Sequence, residues 1–144
     1  MVNLVLANNV RSYSMSSIYR IVRIDCELLD IPAQDKVTFG LDINAEYYRL
    51  INLRISDLMD QDPTPNFDIY FNEWLTDDIL NAFLIQQNVQ LPYCRDDFNL
   101  YCVNKEPKDS DYKDFLFITI LNKGNEPIQK LFFSVVVERL ARGY

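Results

Sequence analysis

The sequence predicts an α+β fold, mainly antiparallel: a sandwich or strongly twisted sheet of about seven or eight strands with one covering helix over about 73–87. Three observations carry that expectation. Alternating apolar and polar residues recur along the chain, most cleanly where Val37, Phe39, Leu41 and Ile43 alternate with Lys36, Thr38, Gly40 and Asp42. Residues 114–138 set two β-branched and aromatic runs around a turn containing Asn122, Gly124, Asn125 and Pro127, the composition of a β-hairpin in which Gly124 supplies a positive φ. Both runs are apolar on both faces, with Phe115, Phe117 and Leu121 on one side of the first and Leu116, Ile118 and Ile120 on the other. Such strands are covered above and below, so this hairpin is expected at the centre of the sheet.

Taken in order, residues 2–6 read as a short first strand and the polar stretch 8–17 as a loop or arm. Residues 18–29 form a strong strand, in which Ile18, Val22, Ile24, Cys26 and Leu28 share one parity and Arg23, Asp25 and Glu27 the other. After the strand at 37–43, residues 44–46 can close a hairpin into 47–56. That segment fits strand or helix and is read as strand, because aromatic and β-branched residues dominate its first two-thirds. The stretch 60–66, with two prolines and no apolar residue, is a loop, and 67–71 alternates again. The helix over 73–87 rests on the stripe Leu75, Ile79, Ala82 and Phe83, capped by Asn72 or Thr76 and stopped by a left-handed Asn88. Residues 98–103 form a short strand, 106–114 a charged connection and 139–144 a basic amphipathic tail. At 144 residues without a linker or repeat, one domain spanning 1–144 is expected.

Composition narrows the chemistry. The chain has no histidine, which removes the commonest general base and most zinc and copper sites. It has no Gly-x-Gly either, so neither a P-loop nor a dinucleotide fingerprint is present. No cofactor, metal site or catalytic residue is assigned, and the chain is expected not to be an enzyme. Cys26, Cys94 and Cys102 are odd in number and lack Cys-x-x-Cys spacing, so they read as reduced thiols of an intracellular protein or virion component. A Cys94–Cys102 bridge requires the two to oppose each other across a hairpin. No apolar run approaches a membrane span, and residues 1–11 lack the basic start of a secretory signal.

Charge is distributed unevenly. The net charge is −7, yet residues 57–114 alone hold four basic and thirteen acidic side chains, net −9. That sign disfavours direct nucleic-acid binding, where phosphate neutralisation by Lys and Arg supplies most of the affinity. The acidic middle reads as a solvated face or as a docking surface for a basic protein, with Glu73, Asp77, Asp78, Asp96, Asp97, Asp109 and Asp111 the candidate partner-binding residues. Trp74, Tyr93, Phe98 and Tyr101 surround it as core and rim. By elimination the expected function is non-catalytic protein–protein interaction or assembly, as in a viral structural component of tail, neck or capsid that forms homo-oligomers. The alternative is a small acidic inhibitor, immunity protein or chaperone that docks a basic nuclease, toxin or effector.

Overall fold

Alternation of buried and exposed side chains runs through the computed structural model, which describes residues 4–5, 10–18, 20–57, 65–74 and 82–140. Eleven strands lie among them: β1 (Leu4–Val5), β2 (Val10–Ile18), β3 (Ile21–Ile31), β4 (Lys36–Asp42), β5 (Tyr47–Ser56), β6 (Phe67–Asn72), β7 (Phe83–Val89), β8 (Tyr93–Arg95), β9 (Leu100–Val103), β10 (Phe115–Asn122) and β11 (Ile128–Arg139). They form two sheets, one in the order β1-β4-β10-β6-β7 and the other β2-β3-β11-β5-β8, with β9 following β8 along the same edge of β5. Every pairing is antiparallel except β1 on β4.

The expected α+β class is therefore corrected to all-β. No helix occurs among the described residues, and 83–87, the last part of the expected helix, belongs to the edge strand Phe83–Val89 paired with β6. Residues 75–81 of that expectation lie outside the described residues. A short apolar run satisfies both periods, and the unpaired edge of β6 decides between them by completing its ladder with β7. Asn88 does adopt the left-handed backbone expected of it (φ 50°), as an irregularity of a strand and not as a helix stop. The expected arm at 8–17 is likewise corrected: its described part belongs to β2, which pairs with β3. A backbone ladder needs no apolar side chains, which explains why a polar stretch gave no sign of it. The expected count of seven or eight strands falls short for the same reasons.

The expected hairpin at 114–138 is also overturned. β10 and β11 are each the middle strand of their sheet, as expected of so apolar a pair, but they belong to different sheets. β4 and β5 are divided in the same way, so 43–46 is not a hairpin turn. If β8 and β9 count as one interrupted strand, β3 to β11 supply eight positions. In one sheet the first pairs with the last, the last with the third and the third with the sixth; in the other the second pairs with the seventh, the seventh with the fourth and the fourth with the fifth. That is the strand order of a jelly roll.

The core fills the space between the sheets. Val22, Ile24, Leu28, Leu131, Phe133 and Val135 from one sheet face Phe39, Leu41, Ile69, Phe71, Ile118 and Ile120 from the other, all buried. Phe39 and Phe133 meet edge-on across the interface with centroids 5.2 Å apart. The β4-β10-β6 sheet is buried on its second face as well, where Thr38, Asn72, Phe117 and Thr119 are inaccessible. There the Thr119 hydroxyl bonds Asn72 Oδ1 at 2.6 Å and Thr38 Oγ1 at 2.7 Å, satisfying polar groups that would otherwise be costly to bury.

Crossovers between the sheets gather at the two ends of the sandwich. At one end Asn122 joins the β3–β4 and β10–β11 crossovers. Its amide donates to the carbonyls of Ile31 (3.3 Å), Pro32 (3.1 Å) and Glu126 (3.0 Å), while its Oδ1 accepts the Gly124 amide at 2.9 Å. Gln34 Nε2 adds bonds to the Lys123 and Gly124 carbonyls at 2.7 and 3.0 Å. Gly124 itself has no positive φ; Asp30, Gln34, Asn44 and Asn88 take the left-handed conformation instead.

Candidate functional site

The acidic residues singled out from sequence divide between two places, and two of them lie outside the description. At the end of the sandwich opposite Asn122, connections 43–46, 73–74 and 104–114 meet. The Asn104 amide donates to the Glu46 carbonyl at 2.8 Å and the Lys105 amide to the Glu73 carbonyl at 2.6 Å. Asn104 then organises the long connection, donating from Nδ2 to the Tyr112 and Phe115 carbonyls and accepting the Glu106 amide. Glu73, Asp109 and Asp111 belong to this end. Asp109 and Asp111 are exposed, whereas the Glu73 side chain is only 15% exposed and pairs with Lys105, whose ammonium lies 5.7 Å from the Trp74 ring. Asp96 and Asp97 are elsewhere, exposed on the connection between β8 and β9, with Asp97 paired to Arg95 at 3.0 Å. Asp77 and Asp78 lie outside the described residues. The described candidates therefore make no single patch, and Lys105, Lys108 and Lys113 dilute the field of those at the 104–114 end.

A different surface was missed from sequence. Phe83 and Leu84 on β7 are 46% and 49% exposed, and Tyr101 on β9 is 64% exposed. Phe83 and Leu84, with Ile85, Arg95, Phe98 and Leu100, border an open groove of about 300 Å³ between the β7 edge of one sheet and the β8–β9 edge of the other. The Arg95 guanidinium lies 4.1 Å from the Phe98 ring centroid and closes one side. Tyr101, opposite Arg49 in the register, projects from the other face of β9. β7 carries no charged residue from Phe83 to Val89, and its outer edge has no strand partner among the described residues. From sequence Phe83 reads as core because it falls on the expected helical stripe. The signal in the sequence was the absence of charge along 79–94, the pattern of a strand whose edge lacks the usual protection.

The thiols offer little reactivity where they are buried. Burial, with a smaller contribution from Asp25, pushes the Cys26 thiol up to about 12. Burial pushes Cys102 up to about 11, against the lowering effect of its hydrogen bond with Tyr48, while burial raises the Tyr48 phenol well above its ordinary value. Cys94 is exposed. Cys94 and Cys102 pair with Arg54 and Tyr48, six positions apart on one strand, so they lie end to end roughly 20 Å apart and do not bridge. Among the described residues no three His, Cys, Asp or Glu side chains gather as a metal site, and no helix is long and apolar enough to cross a membrane. No protein-family model, curated protein or solved structure matches this chain.

Proposed function

We infer that this chain is a non-catalytic assembly protein, a structural subunit of the kind that builds a viral tail, neck or capsid. The observation that carries the reading is the exposed pair Phe83 and Leu84 on an uncharged edge strand. Natural sheets protect such edges with charge, proline or a covering segment, and contiguous exposed apolar surface of this kind marks a contact. The jelly-roll strand order supports the reading more weakly, since that architecture serves capsid proteins but also lectins and cupins. A second reading, docking of a basic protein at the 104–114 end, draws on the gathering of Glu73, Asp109 and Asp111. It ranks below the first because Glu73 is already paired with Lys105.

Sedimentation equilibrium from about 1 to 100 µM tests both. The wild type is expected to associate, and Phe83→Lys/Leu84→Lys to weaken association while leaving the folded spectrum unchanged. A wild type that stays monomeric over this range overturns assembly as the function. Salt-sensitive capture of a basic protein, lost in Asp109→Asn/Asp111→Asn, would favour the second reading.

A further inference from the structure

We draw no further inference here: the strongest candidate, the open trough on the outer face of the β2-β3-β11-β5-β8 sheet between Asp25 and Glu27 on β3 and Arg54 and Ser56 on β5, carries nothing because nothing in the structure shows what covers it.

Discussion

Asn122 is the side chain whose loss tests the architecture most directly, because it holds two inter-sheet crossovers at once. The residue is buried, and its two amide hydrogens are shared among the carbonyls of Ile31, Pro32 and Glu126, while its Oδ1 holds the Gly124 amide. That amounts to about two donated bonds and one accepted bond, each contributing about 1 kcal/mol net, and the orphaned carbonyls stay close to one another after truncation. Asn122→Ala should therefore cost ~3 kcal/mol, which lowers Tm by ~6–12 °C for a chain of this size. Asn122→Asp is the sharper variant. It keeps the shape but turns a carboxylate oxygen toward three carbonyl oxygens, which disfavours the charged form and raises the folded pKa above the ~3.9 of the unfolded chain. A group with a raised folded pKa binds its proton more tightly in the native state, so stability is highest below ~3.9 and falls as pH rises through the folded pKa. Thermal unfolding followed by circular dichroism at pH 4.5 and 7.5 reads both effects. Asn122→Asp should be markedly weaker at pH 7.5 than at pH 4.5 relative to wild type, while the deficit of Asn122→Ala stays constant. A Tm for Asn122→Ala within 1 °C of wild type would refute the view that this side chain clasps the crossovers.

Two further outcomes follow from burial. Val135→Asp would set an unpaired carboxylate between the sheets, where Val135 is fully inaccessible, at a cost of several kcal/mol against a total of ~5–15. The product should be insoluble, and a soluble variant that unfolds cooperatively would mean that β11 is not central. An aromatic-disulfide thiol reagent at pH 8 should label Cys94 alone in the native protein and all three cysteines after denaturation, because Cys26 and Cys102 are buried with thiols pushed up to about 12 and 11. Rapid labelling of two or more native thiols would show that the core at β3 or β9 opens.

Strand identity was legible wherever one residue in two had to be apolar. The runs at β3, β4, β5, β6, β10 and β11 could be read because a strand with a buried face writes its period into its own side chains. The centrality of β10 and β11 was legible too, since only strands in the middle of their sheets carry apolar residues on both sides. β2 left no such trace, because its sequence is polar and a backbone ladder with β3 requires no apolar period. β7 was lost to a competing helical period because Phe83, Leu84 and Ile85 satisfy either reading, and only the unpaired edge of β6 chooses between them.

Which strands become neighbours was decided by tertiary structure. The turn at 123–127 has hairpin composition, yet it crosses between sheets because Asn122 and Gln34 bind it to the β3–β4 crossover 90 residues away. The acidic middle was visible as a sum of charges, but its division between the 104–114 end and the β8–β9 connection depends on where the chain crosses. In the same way, Asp25, Ser134 and Arg54 stand abreast only through the register between strands far apart in sequence. Periodicity along one strand reports which face is buried. It carries no information about the strand beside it.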